Sequence, residues 1–228
     1  MTHAAAAPSA HDDTHGHPPT STGLDNKKIA IWAFIGSECM LFASLISTYL
    51  IYKGRSVVGP FAHEACAGPP ACAKAAPAIL NIPVTSASTF VLLMSSLAMV
   101  LALAAVETKD QPKRTTGERI LGSSKLWLWM TALLGATFLG FQAYEFTSFV
   151  HEGLTIKTNL FGSSFFTLTG FHGAHVTAGV LWLLTLLAID YRRGLGPKDA
   201  INVDIAALYW HFVDVVWIAI FTLVYLIQ

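Results

Sequence analysis

The chain has 228 residues, 54% of them apolar, with 14 basic and 14 acidic side chains and no formal net charge. A charged fraction of 12% is about half the roughly 25% of an ordinary soluble domain. This composition excludes an intrinsically disordered chain, and the balanced charge leaves no electrostatic footprint for nucleic acid.

In chain order, residues 1–28 are rich in Ala, Pro, His, Thr and Ser and contain no apolar run to act as a signal peptide. They are expected to form a disordered cytoplasmic tail. Its run His11-Asp12-Asp13-Thr14-His15-Gly16-His17 reads either as a metal chelator or as a plain solvated segment. Five apolar stretches follow: Ile29–Tyr52, Val84–Val106, Leu126–Val150, Gly162–Ile189 and Ile205–Ile227. Each approaches or exceeds the ~20 residues that a hydrocarbon core of about 30 Å requires. Their only formally charged side chains are Glu38, Glu145 and Asp214; every Lys and Arg lies outside them. The predicted architecture is an all-α membrane protein, a five-transmembrane-helix bundle spanning residues 29–228.

Lys and Arg flanking membrane spans favour the cytoplasmic side. Lys27, Lys28, Lys109, Lys113, Arg114, Arg119, Lys125, Arg192, Arg193 and Lys198 fall on one side; Lys53, Arg55, Lys74 and Lys157 fall on the other. The N-terminus is therefore expected in the cytoplasm and the C-terminus outside. Cys39, within the first stretch, reads as a small buried apolar side chain. Cys66 and Cys72 flank Ala-Gly-Pro-Pro-Ala in the outer connection. That placement leaves open a disulfide, free thiols, or a metal site with His63 and Glu64.

An ionisable residue inside a span is costly unless neutral or paired, which marks it for function. The spans hold three acids and three histidines, His172, His175 and His211. His172 and His175 are three residues apart and share a helix face, as do His211 and Asp214. Glu38, His211 and Asp214 lie at similar depths, so the first and fifth helices are expected to meet there. Glu145 is near the outer end of the third span, with Gln142 one turn earlier. Gly170, Ala174 and Ala178, with Gly173 and Thr177 beside them, and Ala136 with Gly140, repeat at the interval that lets helix backbones approach. Three readings stay open on these residues alone: polar ties between helices, a bis-histidine haem centre, or a proton-coupled transporter.

The runs Gly162-Ser163-Ser164-Phe165-Phe166, Thr169-Gly170-Phe171-His172-Gly173-Ala174-His175-Val176 and Tyr209-Trp210-His211-Phe212-Val213-Asp214-Val215-Val216-Trp217 resemble subunit III of the haem–copper oxidases. Ser37-Glu38 with Phe42, Leu80-Asn81 and Gln142-Ala143-Tyr144-Glu145 resemble it as well, and the likeness covers residues 29–228. The resemblance implies a bacterial inner-membrane chain without cofactor, packed on an oxidase subunit I beside subunit II. Those partners carry the haem and copper of a proton-pumping dioxygen reductase. It further implies bound phospholipid, support of proton uptake and protection of the catalytic subunit during turnover. Glu145, His172, His175, His211 and Asp214 would then be helix-packing or lipid-facing polar residues. Glu38 would be the buried family carboxylate, protonated among Phe34, Met40, Leu41 and Phe42, with His211 its expected partner. A subunit III-like protein of a nitric oxide reductase system and a free-standing haem-binding protein are the rival readings. The chain departs from the family in having five spans instead of seven, in Phe146 for the usual Tyr, and in Asp204 for the frequent Glu.

Overall fold

A computed structural model describes residues 25–53, 55, 80–109, 117 and 122–227. The N-terminal tail and the pair Cys66 and Cys72 lie outside the described residues. Five long helices account for most of the rest: α1 Asn26–Tyr52, α2 Ile82–Glu107, α3 Ser124–His151, α4 Leu160–Arg193 and α5 Ala200–Phe221. A 3-10 turn, Pro197–Asp199, leads into α5, and a π-helical turn, Thr222–Leu226, follows it. All five helices are long and apolar enough to cross a membrane. The 26 residues of α2 alone rise about 39 Å. Each predicted stretch corresponds to one helix, lengthened at its polar ends: α4 runs past Ile189 to Arg193, and α5 begins at Ala200.

Local chemistry explains where the helices start and stop. Asp25 accepts a hydrogen bond from the Lys27 amide at 2.7 Å, and Asn159 accepts from the Gly162 amide at 2.6 Å. Side-chain oxygens of this kind satisfy amides that have no intrahelical partner. Asn81 caps α2 in the same way, with Pro83 in the first turn, where a missing N–H costs nothing. Gly194 ends α4 with φ of 73°, a left-handed backbone that glycine adopts without a Cβ penalty.

Helices successive in the chain run in alternating directions. The start of α1 meets the start of α5 through Lys28 and Asp204, and the start of α3 meets the end of α4 through Ser124 and Asp190. At the opposite end, Thr85 near the start of α2 meets Glu145 near the end of α3. α2 packs on α3 and α5, α4 on α3 and α5, and α1 leans on α4 and α5 from the side. α1 buries only Ile31, Phe42 and Tyr49. Cys39 is exposed on its outward face, contrary to the buried position expected of it. In a membrane an outward-facing thiol meets lipid or another chain, so its apolar character still fits.

The centre of the bundle is built around two tryptophans of α5. Trp210 lies across Gly135 of α3 and Gly179 of α4; a Cβ on those glycines would come within 2.6 Å and 2.8 Å of its ring. Its indole N–H donates to Ser95 Oγ at 2.9 Å, and that of Trp217 donates to Thr89 Oγ1 at 2.9 Å. Of the small residues expected at close helix contacts, Gly173 of α4 is at one: a Cβ there would come within 2.9 Å of the Gln142 side chain of α3. Ala136, Gly140, Ala174, Thr177 and Ala178 face outward, and a Cβ on Gly140 or Gly170 would meet nothing within 4 Å. The packing face runs through Gly135, Phe138 and Gln142 on α3 and through His172, Val176 and Gly179 on α4. Gly173 thus lies on the packing side, while the repeats Ala136 with Gly140 and Gly170 with Ala174 and Ala178 do not form close contacts within the chain.

Candidate functional site

The polar residues inside the bundle fall into four groups. Glu38 of α1 meets His175 of α4, with Oε2 and Nε2 3.0 Å apart and each side chain 16% exposed. This corrects the expected pairing with His211. Depth along the helix matched for both histidines, but Glu38 turns toward α4 while His211 turns toward α2. The other ring nitrogen of His175, Nδ1, is 2.7 Å from the Phe171 carbonyl oxygen. A carbonyl can only accept, so Nδ1 carries a proton. Glu38 Oε2 and His175 Nε2 then share one further proton, as acid and neutral imidazole or as an ion pair. Phe42 covers the pair edge-on, 5.0 Å from the His175 ring, and Tyr209 donates its hydroxyl to the His175 carbonyl at 3.0 Å.

The second group joins α5 to α2. His211 Nδ1 lies 2.5 Å from Ser96 Oγ, and the Ser96 hydroxyl also faces Asp214. Asp214 is 3% exposed, so the expected shared face of His211 and Asp214 is turned to α2. The third group is His172, fully buried. Its ring stacks on Trp217 at 4.9 Å and meets the edge of Phe138 at 5.9 Å. Beside it on α4, Thr169 offers its carbonyl to the Gln142 amide at 2.7 Å.

The fourth group is Glu145, near the far end of α3. It accepts from Thr85 Oγ1 at 2.8 Å and faces the Tyr225 hydroxyl, which the π-helical turn brings inward. Among the described residues no three His, Cys, Asp or Glu side chains converge as a metal-binding set. Of the histidines considered as facing haem ligands, His175 is bonded to Glu38 and Phe171 and His211 to Ser96, while neither ring nitrogen of His172 has a hydrogen-bond partner in the protein.

One buried acid escaped the sequence reading. Asp190 lies two residues before Arg192-Arg193, where a solvated helix end is the natural expectation, yet it is 1% exposed. It accepts from Ser124 Oγ at 2.6 Å and from the Leu195 amide at 2.8 Å, with Lys109 Nζ 4.0 Å away. Lys109 also donates to the Leu195 carbonyl. Around this knot lie three further links: Lys28 with Asp204 at 2.7 Å, Lys27 with Asn202 at 3.2 Å and Arg193 with Asp199 at 2.9 Å. Asp204, a departure from the family pattern, therefore keeps a charge partner. Between the end of α4 and the start of α5 opens a cavity of about 220 Å³. Trp182, Leu186, Ile189 and Ile205 line it, with Arg193 and Asn202 also on its wall.

Residues 10–228 match the family model described as cytochrome c oxidase subunit III. The chain is 42% identical over 201 residues to the cytochrome c oxidase subunit 3 of Bacillus sp. (strain PS3), covering 88% of this chain and 86% of that one. It is 35% identical over 217 residues to the cytochrome bo(3) ubiquinol oxidase subunit 3 of Pseudomonas aeruginosa, covering 95% and 92%. It is likewise 35% identical over 198 residues to the quinol oxidase subunit 3 of Bacillus subtilis (strain 168), covering 87% and 85%. Five apolar helices, the signature runs on α4 and α5 and these matches across nearly the whole chain agree: the protein belongs to the cytochrome c oxidase subunit III family.

Proposed function

We propose that the chain is the cofactor-free accessory subunit of a proton-pumping haem–copper terminal oxidase in a bacterial inner membrane. It packs against subunit I, which with subunit II holds the haem and copper and reduces dioxygen. The observation that carries this reading is the match of residues 10–228 to the cytochrome c oxidase subunit III family, with the membrane histidines packed inside the chain's own bundle. His175 is tied to Glu38 and Phe171, His211 is tied to Ser96, and His172 is enclosed between Trp217 and Phe138. Relatives named for cytochrome c oxidases and for quinol oxidases both match along most of the chain, at 42% and 35% identity, as expected of a subunit that touches neither electron donor.

In this reading the end of the bundle holding Asp190 faces the cytoplasm, because ten of the basic residues flank it. The cavity between α4 and α5 takes part of one acyl chain of a phospholipid whose remainder lies against the partner chain. Its apolar wall suits acyl chains, and Arg193 supplies a cation for the phosphate. The Glu38–His175 pair, partly open on the side of the bundle, supports proton uptake by holding one proton near the subunit I face.

The test is purification of the complex through this chain in mild detergent. Stoichiometric subunits I and II with a haem–copper spectrum are expected, together with faster inactivation in turnover once this chain is removed. A Soret band that stays with the isolated chain would overturn the reading. Recovery with nitric oxide reductase subunits would move it to that system.

A further inference from the structure

Along α5, every residue from Val203 to Ile218 is buried except Asp204, Leu208, His211, Val215 and Ile218. Their spacing alternates four and three residues, which places them on one narrow seam of the helix. The seam has a wall on either side. Asp204 pairs with Lys28 of α1 at 2.7 Å, and His211 Nδ1 lies 2.5 Å from Ser96 Oγ of α2. α1 and α2 both pack on α5 but share no packed interface with each other, so the seam is the floor of an open groove.

His211 gives this groove its chemistry. It is the twelfth residue of α5, ~17 Å along the helix, and so lies deep within a hydrocarbon core of about 30 Å. The side chain is partly exposed there. Ser96 serves Nδ1, and among the described residues Nε2 has no hydrogen-bond partner. Other polar side chains on the outward faces are closed off within their own helices. Ser44, Ser47, Thr48, Thr137, Thr177 and Thr185 each donate to a carbonyl three or four residues back. The two nitrogens of an imidazole point apart, so one neighbour satisfies only one of them. Acyl chains offer the other nothing, and an unmet polar group in hydrocarbon is costly.

We propose that this groove seats one transmembrane helix of another subunit. That helix is apolar where it meets Leu208, Val215 and Ile218, and it carries one hydrogen-bonding side chain opposite His211. The inference rests on the reading of this chain as one subunit of a membrane complex. A seam of alternating four and three residues is what a second helix fills by interlocking side chains along its length. An acyl chain requires no such register. The imidazole that is a liability in lipid then fixes the depth and rotation of the partner helix, as a single polar residue does within an apolar helix interface.

Photo-cross-linking in the intact purified complex tests the assignment. A benzophenone amino acid replaces Val215, one turn from His211 on the seam, or Leu133, exposed on the outward face of α3. From Val215, labelling of one apolar span of a stoichiometric subunit is expected, several-fold above labelling of that span from Leu133. The labelled position should lie within a turn of a polar side chain. His211→Leu is expected to weaken retention of that subunit about threefold, while His211→Gln, which keeps a hydrogen-bonding side chain, holds it as the parent does. Lipid adducts alone from Val215, equal labelling of that span from both positions, or equal losses with Leu and Gln would each overturn the proposal. If oxidase subunits co-purify and Val215 labels only lipid, the groove assignment falls and the oxidase reading stands. If Val215 labels a span of a stoichiometric subunit outside the oxidases, the groove assignment stands and the oxidase reading falls.

Discussion

Asp190 and Glu145 are both sealed inside the protein, at opposite ends of the bundle, and they are satisfied by different chemistry. Asp190 faces a backbone amide, a serine hydroxyl and, at 4.0 Å, a lysine that reaches in from 39% exposure. Glu145 faces hydroxyls alone. The difference follows from what each end joins. Asp190 closes a tight connection between α4 and α5, where amides beyond Gly194 have no helical partner and turn to nearby acids, that of Leu195 to Asp190 and that of Gly196 to Asp199. Glu145 lies within regular helix, where every backbone amide is already used, and only side chains from neighbouring helices remain. A carboxylate at a helix end is thus held by the chain's own turn, and one inside a helix is held by its neighbours.

The largest expected effect comes from breaking the first kind. Asp190→Ala leaves the Leu195 amide and the Ser124 hydroxyl buried without an acceptor. A cost of about 3–5 kcal/mol is expected, as for removal of one partner from a buried charged set. Ser124→Ala is expected to cost only ~1 kcal/mol, and Lys109→Ala less, because an exposed cation at that distance is screened. Denaturation of the purified chain in detergent checks the order. A loss under ~1 kcal/mol for Asp190→Ala would mean that the turn holds itself without the acid.

Around Trp210, between the two ends, fit takes over from charge. Gly179→Ala would place a methyl 2.8 Å from the Trp210 ring, and crowding of this kind costs about 1–3 kcal/mol. Gly140→Ala and Gly170→Ala meet open space. They are expected to be neutral or to stabilise the helices by up to ~1 kcal/mol through propensity. The same denaturation measurement separates the two sets. Equal effects at Gly179 and Gly170 would contradict the packing face described above.

These glycines mark the boundary of what the residues alone could reveal. Five spans were legible because charge is expensive in hydrocarbon, and the expense leaves a plain trace: only Glu38, Glu145 and Asp214 lie between the fences. Sequence distance also placed Glu38 and His211 at one depth. Depth is one coordinate, however, and contact requires rotation as well. A helix turns 100° per residue, so Gly179 and Ala178 look alike as small residues while only one faces Trp210. The same coordinate decides that Glu38 meets His175. Asp190 was hidden for a different reason: beside Arg192, Arg193 and Gly194 it reads as a solvated end, and only the fold shows the turn closing over it.

The Glu38–His175 pair is intermediate between the two buried acids, since its partner is a side chain that can itself carry charge. Glu38→Leu would leave His175 Nε2 without a partner at a cost of about 1–2 kcal/mol. Glu38→Gln keeps the hydrogen bond, because an amide can donate to Nε2 as a protonated acid does. The chain is therefore expected to remain in the purified complex with Gln and to be partly lost with Leu. Loss with Gln would show that the ionised carboxylate is what holds α1 against α4.

The smallest effect concerns the one respect in which the two ends agree. Each has a lysine aimed at backbone carbonyls: Lys109 at Leu195, and Lys53 at Leu223 and Ile227 beyond the end of α5. Lys53 lies just outside the α1 helix and is partly buried, and that desolvation lowers its pKa below the ordinary 10.5. Protonation therefore costs the folded state more than the unfolded one. Lys53 is expected to make the Glu145 end slightly more stable as pH rises from its folded pKa toward 10.5. Lys53→Met removes that rise and also the bonds to the carbonyls, so its net cost at neutral pH is below ~1 kcal/mol. Hydrogen exchange of the Thr222–Leu226 turn across alkaline pH reads this directly. If protection in the parent falls with pH while the Met variant stays flat, the charged ammonium is the stabilising form, and burial is the lesser influence on Lys53.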